Sequence, residues 1–328
     1  MSNSPGRAGP EVEVVIPTRD RPDQLAVTLK ALAAQHFTAF GVIVVDDGGV
    51  TPAEPLATIP GPMAIRFVRN ESSIGPGASR NRGVEASRAP YVVFLDDDCV
   101  AGPDLVGRHR AVLASADGPV VSLGPILSPP GQRLPVWTHW DADRLQREYT
   151  RIGRAESTAN WTHLYTGNAG VRRADFLAVG GFDTRFSRQE DVELGYRLAR
   201  HGCRFVFDES ALVWHDSNRS LSAWTRIPAA SAHFDVLMDQ LDPDSARLAQ
   251  VRDGLSDRHW ALRVARRAGR TPLAHRCAVT GAIGAGRLLH AVRADRAALC
   301  AFSLVWDLTY SRTLREATAA GPLTRSAA

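Results

Sequence analysis

YVVFLDDDCV, residues 91–100, sets five apolar or aromatic residues in a row directly against three aspartates. A short uninterrupted apolar run of this kind reads as a strand covered on both faces, as in a mostly parallel sheet flanked by helices. In such sheets ligands bind in the crevice beyond the carboxyl ends of the strands, where Asp96, Asp97 and Asp98 fall. Three adjacent carboxylates repel one another unless a cation neutralises them. Oxygen donors suit Mg²⁺ or Mn²⁺, and such an ion, held by one or two protein carboxylates, completes its shell with phosphates and water. Taken alone, the triplet reads equally well as a solvated acidic turn.

The flanking sequence repeats the pattern. Val12 to Ile16 reads as a strand, followed by Asp20 as a helix cap, Pro22 in the first turn, and Leu25, Leu29 and Leu32 at helical spacing. Val42 to Val45 is a buried strand running into Asp46 and Asp47. A proline-rich loop, Thr51 to Pro62, leads to a strand at Ile65 to Val68, and Gly75-Pro76-Gly77 opens a helix through Ser87. Strands alternating with helices predict an α/β fold. From Ser128 to Thr166 prolines and tryptophans loosen the pattern, which suggests a cap over a site. A helix from Glu190 to His201, a strand at Phe205 to Phe207 and a strand from Ala211 to Trp214 leading into His215 complete this part. Beyond Asp216 the composition turns to Ala, Arg and Leu. The expected organisation is a flexible N-terminus at 1–10, a catalytic domain at 11–216 and a mainly helical appendage at 217–328. Within the appendage Trp260 to Arg267 and Leu288 to Leu299 read as helices. They suit packing within the protein, or a homodimer, better than a membrane surface. Gly281, Gly284 and Gly286 lack the spacing and the preceding strand of a dinucleotide loop.

The chain has 328 residues, 44% of them hydrophobic and 23% charged, enough to bury a core and too ordinary for a disordered chain. Its 39 basic and 35 acidic residues give +4, with no block of like charge, so nucleic acid is not an expected partner. Lys30 is the sole lysine, an arginine bias that reflects composition more than phosphate binding. Cys99, Cys203, Cys277 and Cys300 show no metal-binding spacing and read as reduced thiols. Met1 to Pro10 has no apolar core of a signal peptide. The longest apolar stretch, Ala297 to Trp306, is too short to span a bilayer, so a cytoplasmic protein is expected.

Six segments in order carry a resemblance: VVIPTRDRPDQLAVTLKALAAQ (14–35), GVIVVDDGG (41–49), GPGASRNRGVEAS (75–87), YVVFLDDDCV (91–100), TGNAGVRRADFLAVGGFDTRF (166–186) and EDVELGYRLARHG (190–202). Together they resemble the inverting family 2 glycosyltransferases, with the nucleotide-sugar-binding GT-A fold, over about residues 11 to 216. The departures are Gly-Gly after the second aspartate pair and Cys99 after the triplet. The resemblance implies that Pro17, Thr18 and Asp20 flank the nucleotide base. It also has Asp47 accept a base N–H, which favours uracil, since a carboxylate only accepts. Arg80 and Asn81 would lie near ribose and phosphates, where a guanidinium fork matches phosphate. Asp96 and Asp97 would bind the donor. Asp96, Asp98 and His215 would hold the metal, the imidazole favouring Mn²⁺ over Mg²⁺.

By the same resemblance Gly167, Asn168 and Ala169 would line the donor sugar; the tryptophans from 137 to 161 read equally well as stacking on a sugar acceptor or as packing in an ordinary core. Asp191, beside Glu190 at a helix start, is the catalytic base. For both residues the plainer role is helix capping. The implied reaction moves a sugar from a nucleoside diphosphate, UDP by preference, to a hydroxyl or amine acceptor with inversion. The sugar, the acceptor and the pathway are left open.

Three other readings compete. A Mg²⁺-dependent phosphohydrolase would use Asp96 as nucleophile but wants a downstream lysine, and Lys30 lies upstream. A nucleotidyltransferase wants a glycine-rich basic loop where this chain has Pro17-Thr18-Arg19-Asp20. A non-catalytic nucleotide-binding scaffold would have little reason to keep Glu190 and Asp191.

Overall fold

In a computed structural model, residues 9–186, 188–215, 219–256, 262–264, 266 and 271–321 are described. The chain divides into two compact units, one comprising Met1–Pro129 and Arg147–Asp216, the other Pro130–Gln146 and Ser217–Ala328. The expected domain at 11–216 therefore gives up residues 130–146 to the second unit. The flexible N-terminus at 1–10 and the helix at 260–267 fall mostly outside the described residues.

The first unit is built on a seven-stranded sheet in the order β3-β2-β1-β4-β8-β6-β9. Its strands are β1 (Val12–Thr18), β2 (Phe40–Asp46), β3 (Ala64–Arg69), β4 (Tyr91–Leu95), β6 (Val120–Leu123), β8 (Asn168–Arg172) and β9 (Arg204–Phe207). β1, β2, β3 and β4 run parallel, β8 is antiparallel to β4 and β6, and β6 pairs parallel with β9. The mostly parallel sheet is the one the sequence predicts. α1 (Pro22–Ala33), α2 (Pro76–Ala86), α3 (Leu105–Ser115), α5 (Arg173–Ala178) and α6 (Glu190–Arg200) belong to the same unit.

Val15, Ile43, Val45, Phe94, Leu194 and Leu198 are fully buried in one apolar cluster, and Val14, Ile16, Val44, Leu25 and Leu29 in another. At Gly83 of α2 an added Cβ would lie 2.4 Å from Val15 Cγ1, so only glycine lets α2 come this close to β1. Because β1 has β2 on one side and β4 on the other, the crevice at their carboxyl ends is a topological switch point. A three-stranded sheet, β5 (Cys99–Ala101), β10 (Val213–His215) and β7 (Ile126–Leu127), pairs His215 with Cys99 in antiparallel register.

The second unit contains the start of α4 (Val136–Gly153), then α7 (Leu221–Leu241), α8 (Arg247–Ser256), α9 (Pro272–Ala291) and α10 (Asp295–Ala319). Its core joins Trp140, Trp224, Phe302 and Val305, with Trp140 stacked on Trp306 at 4.9 Å and edge-on to Trp224 at 5.6 Å. Of the two readings of these tryptophans, core packing describes Trp137 and Trp140, and the irregular stretch that suggested a cap gives way to a helix at Val136–Gly153. Trp140 is buried, and Trp137 packs on the same cluster while donating its indole N–H to the Arg219 carbonyl. Trp161 lies in a short 3₁₀ turn, edge-on to Tyr196. The stretch Leu288 to Leu299 is also broken, by a turn in which Arg293 takes φ +61° between α9 and α10. Among the described residues no helix is long and apolar enough to cross a membrane.

Candidate active site

Each aspartate after β4 points to a different partner. Asp97 turns inward to β1: it accepts the Thr18 hydroxyl at 2.7 Å and an Arg21 N–H at 2.7 Å, while its backbone carbonyl accepts the Thr28 hydroxyl at 2.8 Å. Thr18 and Asp97, expected to flank the donor, are thus buried struts of the site. Burial, with the like charges of Asp98 and Asp96, pushes Asp97 up to about 6 against the Thr18 hydrogen bond and the Arg21 charge.

Asp98 takes the other arm of Arg21 at 2.6 Å and lies 3.2 Å from His215 Nε2. Burial alone would raise its carboxyl, but His215 and Arg21 outweigh burial and hold it at about 2. Asp98 therefore stays ionised throughout the physiological range. Asp96 instead pairs with Arg80 at 2.6 Å. The expected ligand set is split, because Asp96, Asp98 and His215 do not bring three ligand atoms within 4.8 Å of one another. What the fold does gather is the pair Asp98 and His215, an oxygen and a nitrogen donor brought together by the β5–β10 register.

Arg80 connects this strand end to α6. It is 5% exposed, reaches Asp96 on one side and Glu190 Oε1 at 3.2 Å on the other, and lies 5.8 Å from the Phe182 ring centre. Burial works against its charge, yet Asp96 and Glu190 keep it more firmly protonated than usual, and its Nε has no hydrogen-bond partner. Asp191 follows Glu190 in the first turn of α6 and accepts the Val192 N–H at 2.8 Å. Burial and the neighbouring Glu190 charge push its carboxyl up to about 7, against the Val192 hydrogen bond and the charges of Arg80 and Arg188. One unit thus holds a carboxylate fixed as an anion and another that can exchange a proton near neutrality, the division of labour acid–base chemistry uses.

Several expected contact residues serve the scaffold instead. Asp47 accepts five hydrogen bonds, from Asn70, Ser73, Ser79 and the backbone N–H groups of Ile74 and Gly75, at 2.7–3.1 Å. Five donors already crowd the roughly four lone-pair positions that a carboxylate offers. Its task is to anchor the loop that opens α2. Asn81 clamps Phe182, donating to its carbonyl at 2.9 Å and accepting its N–H at 2.8 Å, which fixes the segment before α6 and uses the amide expected near ribose.

Asn168 and Ala169 are buried in β8 and cannot touch a sugar with their side chains. The Asn168 amide donates to the Pro125 and Ala211 carbonyls and accepts from His109. A Cβ on Gly167 would come 3.1 Å from Asp96 Oδ2, so Gly167 lies beside the aspartates. Asp20 does not cap α1 but adopts φ +53° and accepts the Thr51 N–H, while Pro17 closes β1 opposite Val45.

Two functional features escaped sequence reasoning. One is Arg21, the residue just before α1, whose guanidinium reaches both Asp97 and Asp98. His109, fully buried between Ser122 and Asn168, is pushed by burial down to about 4 and stays neutral, a strut under β8.

The family model described as glycosyltransferase-like family 2 matches residues 10–228, about two-thirds of the chain. The validoxylamine A glucosyltransferase of Streptomyces hygroscopicus is 33% identical over 223 residues, covering 59% of this chain and 52% of that one. The chain spans about half the length of the curated relatives it matches. Among solved structures, the mannosyltransferase PcManGT of Pyrobaculum calidifontis, in complex with GDP-Man and Mn²⁺, is similar in fold with a TM-score of 0.57. It has 16% identity and the match covers 98% of this chain and 79% of that one. Residues 1–349 of S. aureus TarS, in complex with UDP, give a TM-score of 0.50 at 16% identity, covering 95% and 92%. With its sheet order, its carboxylates beyond β4 and these likenesses, the chain belongs to glycosyltransferase-like family 2, on the GT-A fold.

Proposed function

We propose that the protein transfers a sugar from a nucleoside diphosphate sugar to a hydroxyl or amine acceptor, with a divalent ion at Asp98 and His215 and with Asp191 as the base, inverting the anomeric centre. The observation that carries this reading is geometric: Asp98 lies 3.2 Å from His215 beyond the strand ends, and Arg80, paired with both Asp96 and Glu190, ties that segment to the start of α6, where Asp191 stands.

The donor set fits such an ion. A carboxylate and an imidazole suit Mn²⁺, and Arg21 already supplies positive charge between Asp97 and Asp98. An ion held by two protein ligands takes the rest of its shell from diphosphate oxygens and water, and would absorb charge developing on the leaving diphosphate. Arg80 holds Asp96 and Glu190 in place and keeps a cation at the strand ends. Asp191 accepts the proton of the attacking acceptor group, which it can do because its raised pKa matches neutral working conditions. With Asp47 engaged in the loop, uracil preference loses its one chemical support, so UDP-sugars and GDP-sugars are tested side by side.

Calorimetric titration of UDP and GDP, each with Mn²⁺, with Mg²⁺ and with chelator, tests the binding half. Metal-dependent binding that Asp98→Asn weakens is expected, and equal affinity with and without metal would sink the metal assignment. NMR of the product tests the chemistry, retention of the donor's anomeric configuration being the refuting outcome.

A further inference from the structure

His139, His290 and Asp295 form a second cluster, entirely inside the helical unit. Each offers a ligand atom, and these atoms all lie within 4.8 Å of one another. His139 comes from the first turn of α4, His290 from the last turn of α9 and Asp295 from the first residue of α10. The tight turn at 292–294, with Arg293 at φ +61°, returns the chain so that His290 Nδ1 meets Asp295 Oδ1 at 2.7 Å. The His139 and His290 rings lie 6.3 Å apart between centroids, inclined at 60°.

A helix-end ion pair accounts for His290 and Asp295 alone, since a cation at a helix C-terminus and an anion at a helix N-terminus both meet favourable dipoles. It gives no reason for a second imidazole from a separate helix to join them. Two imidazoles and one carboxylate are a common protein ligand set for Zn²⁺, which takes nitrogen and oxygen donors at about 2.0–2.2 Å. We propose that His139, His290 and Asp295 bind a divalent ion of the Zn²⁺ type, clipping the start of α4 to the corner between α9 and α10.

Tetrahedral donors around such an ion stand about 3.3 Å apart, so the trio must close by at most about 1.5 Å. Asp295 is 46% exposed and His290 17%, so the carboxylate has more room to swing than the half-buried imidazole. Solvent then reaches the fourth position. Arg133 donates to the His290 carbonyl at 3.4 Å, and Arg293 stands in the turn itself. The site stands whether or not the unit containing Asp98 transfers a sugar, because none of its residues is in that unit.

The test uses the full chain carrying Asp98→Asn and His215→Asn, which silences the other metal candidate, titrated with Zn²⁺ by calorimetry and with Co²⁺ by visible absorption. One saturable equivalent of Zn²⁺, and the intense Co²⁺ bands of a four-coordinate centre, are expected. Adding His139→Asn should weaken Zn²⁺ at least about tenfold, and adding His290→Asn likewise, because each removes one of three protein ligands. His139→Gln gives a second reading should the asparagine variant fold poorly. In a chain with native Asp98 and His215, His139→Asn should leave sugar transfer unchanged, while in the silenced chain it should reduce the rise in Tm that a fixed Zn²⁺ concentration produces. The proposal is overturned by the absence of a saturable equivalent in the silenced chain, or by Zn²⁺ affinity that survives loss of both histidines.

Discussion

Replacing Asp47 by asparagine separates two opposed readings of one carboxylate. With Oδ1 kept as the amide oxygen, Asn70, Ile74 and Ser79 retain an acceptor. The amide nitrogen then faces Ser73, whose hydroxyl can turn round to accept, and the Gly75 N–H, which cannot. That part-buried N–H loses its protein partner at a cost of about 1 kcal/mol, and the remaining hydrogen bonds lose the strengthening that ionic charge gives, so about 1–3 kcal/mol in all is expected. Urea unfolding should show a lower midpoint at unchanged m.

The pH dependence carries a sign. Burial would raise the Asp47 carboxyl, but its donors prevail and hold it below the usual value, so its stabilisation is present above the unfolded pKa of about 3.9 and is lost as pH falls through the native one. The gap between native chain and variant should therefore narrow in acid. A loss of stability below about 0.5 kcal/mol, together with UDP affinity reduced about tenfold or more, would refute the reasoning and return Asp47 to the nucleotide base.

Turnover should rise with pH through about 7 and then level, since Asp191 acts only when ionised, and a profile flat across that range counts against its role. Asp191→Asn should lower turnover by roughly 10² to 10⁴ with donor affinity kept, as single-turnover kinetics and calorimetry can check. The raised pKa also means that the native chain loses stability as pH climbs from about 3.9 to about 7, so above that window the asparagine variant should melt at the higher temperature. Trp140→Ala should cost about 3–5 kcal/mol in urea unfolding, because it empties a buried site between Trp224 and Trp306. An altered acceptor KM at unchanged stability would instead place that ring at a sugar.

The central sheet was legible because buried parallel strands write themselves as unbroken apolar runs, and β2 and β4 each end where such a run meets aspartates. Position along the chain also located Asp98, His215 and Asp191 correctly at strand and helix ends. What it could not supply is direction. Asp47, Asn81 and Asn168 sit in the expected segments, yet their polar atoms face backbone groups brought in from residues far along the chain. Sequence spacing fixes where a side chain starts and leaves open which donors will fold around it. The tryptophans read two ways for a related reason. Prolines at 129, 130 and 135 make the stretch look irregular, but they precede a helix whose first turns carry Trp137 and Trp140 into a core completed by Trp224, Phe302 and Trp306, more than 80 residues later.

The antiparallel match of His215 with Cys99 has a consequence for synthesis on the ribosome. Asp98 and its partner Arg21 emerge early, and β1, β2, β3 and β4 can assemble while the chain is still growing. The imidazole that meets Asp98 arrives 117 residues later, on the last strand of its unit. At a synthesis rate of about 5–20 residues per second the aspartates spend roughly 6–23 seconds with Arg21 and Arg80 as their cations. During that interval the two arginines shield their mutual repulsion, so the nascent sheet can form before the ligand pair is complete.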